Sequence, residues 1–283
     1  MAIMAHPDDV EFTSAGTVAR WCAQGGTAYY VIATSGDKGG QEGYTPQELA
    51  ALREREQREA ARVLGVKDVF FLRLPDGLLQ ATPELSQQLA HLLSEHRVDV
   101  VLTWDDLSSH LDHADHRNIG LAVRQVVCAA RDGRPSTSER EGEGVEPHCV
   151  TALLLVGSQN PNYFVHIGRF LEKKVDAILC HRSQVGGQSR EDMMKRFRGL
   201  SRVVHHLAAR LACRGGLVER FTLLLMTSTP GASAEMLLGA GTCWRSARVP
   251  APAPSSQRRT PCRQDVISHM LSSTPDRPCV NIV

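Results

Sequence analysis

Strand-length runs of β-branched and aliphatic residues recur between longer helix-patterned segments along this chain, and that alternation restricts it to the α/β class. Four runs, 28–34 (AYYVIAT), 69–74 (VFFLRL), 98–103 (VDVVLT) and 150–156 (VTALLLV), are apolar on both faces and read as buried parallel strands. Between them, 46–64 carries helix formers with charges at four-residue spacing, and 83–97 repeats leucine at Leu85, Leu89, Leu92 and Leu93. Both segments predict helices covering the sheet. Further helical patterns occupy 117–131, 167–181 and the arginine-rich 190–214, whose charges read as a solvated face.

A length of 283 residues suits one sizeable core with appendages. Apolar residues at 42% and charged residues at 22% are ordinary globular usage and exclude a wholly disordered or fibrous chain. With 32 basic against 31 acidic residues the net charge is +1, which leaves no overall electrostatic footprint for nucleic acid or an anionic membrane. The start, MAIMAHPDDVEF, sets a histidine and three acids where a secretory signal needs an apolar core, and no run is long enough to span a bilayer. Eight cysteines form no CxxC pair, so the expected setting is reduced and cytoplasmic. Segment 131–147 holds one clearly apolar residue, Val145, and predicts a surface loop. After residue 226 the character changes, because seven of the fourteen prolines fall there and no period persists. The expected organisation is a compact domain over 1–226 and an unpacked tail over 227–283.

The densest chemical constellation is His6-Pro7-Asp8-Asp9, directly after the short strand stub AIMA. Ligands bind at the carboxyl ends of strands in open α/β sheets, so this turn is well placed for a site. Three-residue spacing lets the His6 imidazole and the Asp9 carboxylate converge on one ion, with Asp8 left as a base. Taken alone, the same four residues also suit a polar turn in which Asp8 or Asp9 caps the next helix. A second cluster, SSHLDHADHRNIG, follows the third run by about ten residues and contains His110, His113 and His116 with Asp112 and Asp115. His113 and His116, three apart, share one face of a helical turn. Spacing does not choose among the three histidines, but two such clusters after sheet strands point to a shared metal site.

AHPDDVEF, TSGDKGG, LREREQREAARVLGV, LPDG, HADHRNIG, NPNYFVHI and HRSQ, in that order, resemble the LmbE-like or PIG-L family of metal-dependent de-N-acetylases. The resemblance runs from about Ala2 to about Met226. It implies a Rossmann-like fold, a mostly parallel sheet with helices on both faces, and a divalent metal, usually zinc with ferrous iron as another choice. Hydrolysis of an acetamide on an amino sugar or sugar conjugate is the implied reaction. By position, the resemblance makes His6, Asp9 and His116 the metal ligands, Asp8 the general base and His113 the residue facing the reacting carbonyl. It also makes Arg53 and Asp76 substrate contacts, although without it both read as ordinary helix-surface and turn residues. His181 in HRSQ reads as a helix-end cap.

Two departures from the family stand out. Ala114 occupies a position where the family usually has proline. Only five residues precede His6, where the family supplies a complete strand, so a weakly held first turn is expected. The implied partner is a small N-acetylated sugar conjugate, with a homo-oligomer left open. Competing readings are an amidase acting on a larger thiol or lipid conjugate and a non-catalytic relative. A dinucleotide-binding module is excluded at the first turn, which lacks GxGxxG.

Overall fold

The computed structural model describes residues 1–39, 43–108, 113–132, 148–208, 217–226 and 242–244, with the backbone alone at 200–208 and 242–244. Among them, strands β1 (Ala2–Met4), β2 (Tyr29–Thr34), β3 (Asp68–Leu74), β4 (Val100–Trp104), β5 (Ala152–Val156), β6 (Tyr163–His166), β7 (Val218–Leu225) and β8 (Thr242–Trp244) form a sheet in the order β3-β2-β1-β4-β5-β7-β6-β8. The first five strands are mutually parallel, whereas β5–β7, β6–β7 and β6–β8 are antiparallel pairs. The sequence therefore revealed the parallel half, and the antiparallel extension is added by the structure. The expected loop at 131–147 and tail at 227–283 lie outside the described residues apart from Arg131, Asp132 and β8, and so does His110.

The helices are α1 (Asp9–Ala23), α2 (Pro46–Leu64), α3 (Pro83–Glu95), α4 (Ala114–Arg131), α5 (Leu171–Ile178), α6 (Arg182–Val185) and α7 (Arg190–Ala208). Their starts are written locally. Thr45 and Glu48 form a capping box with Pro46 at the first helical turn, and Thr82 caps α3 ahead of Pro83. Gly65, in the left-handed conformation at φ 88°, closes α2.

Alternation along the parallel strands feeds two cores. Ala2, Met4, Tyr30, Ile32 and Leu154 face one side with residues of α1 and α2, while Ile3, Ala5, Val31, Ala33, Leu153 and Leu155 face the other with α3 and α4. Burial on both faces explains why these strands read as unbroken apolar runs. Short as it is, β1 is paired on both sides: Ala2, Ile3 and Met4 align with Tyr30, Val31 and Ile32, and the Leu102 amide donates to the Met1 carbonyl at 3.0 Å.

The chain steps outward from β1 through β2 to β3, then returns to the other side of β1 for β4. The crevice beyond the carboxyl ends of β1 and β4 is thus the switch point of the sheet, the place such folds bind ligands. Gly120 sets how closely α4 approaches there, since a Cβ on it would lie 2.3 Å from the Trp104 carbonyl oxygen. No described helix is long and apolar enough to cross a membrane.

Candidate metal centre and active site

The turn after β1 places His6, Pro7 and Asp8 before α1, with Asp8 in the left-handed region at φ 100°. A non-glycine residue tolerates that conformation only where its surroundings hold it. Here the Asp8 amide donates to Gln57 Oε1 at 2.9 Å, and the Arg53 guanidinium donates to the Pro7 carbonyl at 2.6 Å and the Gly36 carbonyl at 2.7 Å. Arg53 also lies 3.3 Å from the Asp8 carboxylate. Gly36 is required for this approach, because a Cβ there would meet Arg53 at 2.7 Å.

Asp9, at the first position of α1, folds back on the turn. Its Oδ2 accepts from the amides of Ala5 and His6 at 3.1 and 2.9 Å and from the Trp104 indole N–H at 3.1 Å, while its Oδ1 lies 3.2 Å from His116 Nε2. Burial disfavours its charge, but those imidazoles outweigh it and hold the carboxyl well below the usual range. His6 Nδ1 completes the group, 3.2 Å from His116 Nε2 and 3.7 Å from Asp9 Oδ2. Trp104 stacks on the His116 ring at 4.0 Å and 11°, fixing its plane.

The opposite edge of His6 is also occupied. His6 Nε2 lies 3.2 Å from Asp76 Oδ1 and 3.3 Å from Asp115 Oδ2. Asp115 has no solvent exposure and accepts from the amides of Gly77 and Leu79, and Asp76 accepts from the Lys38 amide at 2.9 Å. Burial opposes charge on His6, yet the carboxylates of Asp76 and Asp9 prevail and raise it to about 10. The His6 hydrogen bond is the main reason that Asp76 falls to about 2.

His113 caps α4, its Nδ1 accepting from the Asp115 amide at 3.3 Å, and its ring stands 4.6 Å from that of His6. Burial, followed by the neighbouring His6 and His116, lowers its pKa. Asp8 moves the other way, to about 6, because burial outweighs the opposing charge of Arg53.

Comparison with known proteins accords with this geometry. The family model described as PIG-L, GlcNAc-PI de-N-acetylase, matches residues 1–127. The diacetylchitobiose deacetylase of Thermococcus kodakarensis is 31% identical over 186 residues, covering 65% of this chain and 69% of that protein. The 1D-myo-inositol 2-acetamido-2-deoxy-alpha-D-glucopyranoside deacetylase of Mycobacteroides abscessus is 33% identical over 225 residues, covering 65% and 81%. This chain belongs to the PIG-L/LmbE deacetylase family. Among solved structures, the N,N'-diacetylchitobiose deacetylase of Pyrococcus horikoshii superposes with a TM-score of 0.70 at 28% identity, covering 81% of this chain and 86% of that one.

The PIG-L/LmbE family is generally metal-dependent, and the donor set here suits an ion. Nitrogen and oxygen ligands bonded at about 2.0–2.1 Å to a tetrahedral ion stand roughly 3.3–3.4 Å apart. His116 Nε2 lies 3.2 Å from His6 Nδ1 and 3.2 Å from Asp9 Oδ1, close to that edge, while His6 Nδ1 lies 3.7 Å from the other Asp9 oxygen, Oδ2. Among the described residues, the groupings whose donor atoms all lie within 4.8 Å of one another are His6 with His113 and His116, and His6 with Asp76 and Asp115, so Asp9 would join the ion's shell through its contacts with His116 and His6. The latter pair of carboxylates faces Nε2 and is already engaged with backbone amides, the arrangement of an outer shell that orients a ligand. Sequence reasoning brought His6, Asp8, Asp9, His113, His116, Arg53 and Asp76 to one crevice. It missed Trp104, Gln57 and the part played by Asp115, whose only signals were a strand-end tryptophan, a helix glutamine and an acid between two histidines.

Proposed function

We propose that the protein is a zinc-dependent de-N-acetylase that hydrolyses the acetamide of an N-acetylated amino sugar or sugar conjugate, the chemistry that its deacetylase relatives carry in their names. The observation that carries this reading is the convergence of His6, Asp9 and His116 on one small space with Asp8 and His113 beside it. His6 Nδ1, Asp9 Oδ1 and His116 Nε2 are the proposed ligands. When bound, zinc would supply Lewis acidity and lower the pKa of a water to about 7.

The remaining work falls to side chains. Asp8, lifted to about 6, is ionised at neutral pH yet is a stronger base than an ordinary carboxylate, and accepts the proton of the attacking water. His113 accepts the Asp115 amide at Nδ1 and is kept neutral, so its proton sits on Nε2, where it donates to the developing oxyanion. Collapse breaks the C–N bond. The proton held by Asp8 passes to the departing amine, and acetate and a free amino sugar leave. Arg53 and Asp76 are the proposed substrate contacts, since a guanidinium edge and a carboxylate both bond sugar hydroxyls.

The test is release of primary amine from N-acetylglucosamine, diacetylchitobiose and an N-acetylglucosaminyl inositol by the purified chain, with and without chelator. Chelator-sensitive release supports the reading. A zinc-loaded protein inert toward all three overturns it.

A further inference from the structure

His181 takes no part in the proposed chemistry, yet it is completely buried at the junction of α5 and α6. A helix-end cap has no need of such burial. Its Nε2 lies 3.1 Å from Glu11 Oε2, a carboxylate that is likewise without solvent exposure. Glu11 in turn accepts from Gln57 Nε2, at 3.1 and 3.2 Å to its two oxygens, and Gln57 Oε1 accepts the Asp8 amide at 2.9 Å. Four residues from three stretches of sequence thus form one continuous hydrogen-bonded chain that ends on the strained residue at φ 100°.

The chain has a direction. An amide side chain presents a carbonyl on one side and an N–H pair on the other, and the two ends exchange by a rotation of half a turn. At Gln57 the Glu11 carboxylate demands the N–H end, which leaves the carbonyl to receive the Asp8 amide. A flipped Gln57 would set N–H against N–H and release the turn. A buried carboxylate persists in place only while its lone pairs are satisfied, and His181 supplies a second partner to Oε2, the oxygen that Gln57 reaches at 3.2 Å. The next residues of HRSQ brace the same region: Ser183 binds Glu56 through its amide and hydroxyl at 2.9 and 2.6 Å, and Gln184 donates to the Gly39 carbonyl at 3.3 Å.

We propose that His181 is a positioning residue which, through Glu11 and Gln57, fixes the backbone of Asp8 in the left-handed conformation that aims its carboxylate at the reacting centre. This rests on the assignment of Asp8 as the base and adds a residue that acts on the site without touching it. The chain bonds neither Arg53 nor Asp76, the proposed substrate contacts, and Arg53 keeps its own bond to the Gly36 carbonyl, so the loss expected from breaking the chain falls mainly on kcat.

The experiment compares zinc-loaded wild type, His181→Leu, His181→Gln, Gln57→Leu and the double variant His181→Leu/Gln57→Leu. Zinc content, kcat, KM and the hydrogen exchange of the Asp8 amide are measured on each. His181→Leu and Gln57→Leu are expected to keep zinc, lower kcat about 30- to 100-fold, leave KM within about twofold and expose the Asp8 amide to faster exchange. Glutamine at 181, whose amide nitrogen can replace Nε2, restores most of the rate. The double variant is no slower than the worse single one, because both cut the same chain. A kcat in His181→Leu within twofold of wild type with Asp8 exchange unchanged overturns the proposal, as does multiplication of the two single effects. Should leucine at 181 prevent folding, Gln57→Leu and His181→Gln still decide it. If wild type itself releases no amine, the deacetylase reading fails, and the Asp8 exchange rates still judge the chain.

Discussion

Asp115 Oδ2 lies 3.3 Å from His6 Nε2, so a fully buried carboxylate holds the far edge of an imidazole whose near edge points at His116 and Asp9. Asp115 is itself pinned by the Gly77 and Leu79 amides, which ties the loop after β3 to the histidine after β1. Partners of this kind set the tautomer and direction of a ligand. Asp115→Asn is therefore expected to weaken zinc binding roughly 10- to 100-fold while leaving the fold in place. Competition with a chromogenic chelator reads this directly, and unchanged affinity would remove Asp115 from the site.

Ligand and base separate by substitution. Asp8→Asn should retain one zinc per chain and lose about 10²- to 10⁴-fold in kcat, the usual worth of a positioned acid–base group. His116→Ala should lose both zinc and turnover. Equal zinc loss in the two variants would contradict the division of roles.

Protonation gives a signed prediction for the metal-free protein. His6, raised to about 10, is charged at pH 7.5, whereas a histidine ligand must be neutral. Zinc binding at pH 7.5 should then release close to two protons, one from His6 and most of one from a bound water of pKa about 7, seen by calorimetry in buffers of different ionisation enthalpy. Because the folded pKa exceeds the unfolded value of 6.5, the stabilisation that His6 gives the metal-free fold is complete below pH 6.5 and disappears as pH rises through 10. Thermal midpoints of the metal-free protein should drop between pH 7 and 10. Release of one proton or fewer would show that His6 is neutral before zinc arrives.

As the proposed base, Asp8 is expected to set the acid limb of activity. With its carboxyl pushed up to about 6, kcat/KM should fall tenfold per pH unit below that point and level off above it. A profile still flat at pH 5 would exclude Asp8 as the base.

Gly120 places α4, and with it His113 and His116, against the end of β4. Gly120→Ala forces a Cβ to within 2.3 Å of the Trp104 carbonyl, so the helix must move outward. The expected cost is about 1–3 kcal/mol in denaturant unfolding, accompanied by weaker zinc binding. Wild-type stability would show that the helix can shift freely.

The parts of the fold legible in the sequence were those whose burial is symmetric. β2 and β5 send Val31, Ile32, Leu153 and Leu154 alternately into the two cores, and the result is an uninterrupted apolar run. β7 was hidden because its buried face opens on a charge, Glu219, which is buried against Lys174 at 2.6 Å, and only Phe221 and Leu223 are buried after it on that face. β6 has only four residues, too few for any period to show. In the site, His6, Asp8, Asp9, His113 and His116 announced themselves because chemistry and spacing coincide within a few residues. Trp104 and Gln57 did not, since each is tied to the site by a partner 95 or 49 positions away. Arg53 shows the same limit: its guanidinium is buried against the Pro7 and Gly36 carbonyls, contacts no local pattern encodes.

The central claim is that one metal ion, held by His6, Asp9 and His116, activates water for amide hydrolysis. The most direct measurement is zinc content of the purified chain together with amine release from an N-acetylglucosamine conjugate before chelation, after chelation and after zinc is restored. The account predicts close to one ion per chain, with activity lost and regained alongside it. Amine release that persists in protein stripped of metal, or a chain that takes up no ion on reconstitution, would contradict it.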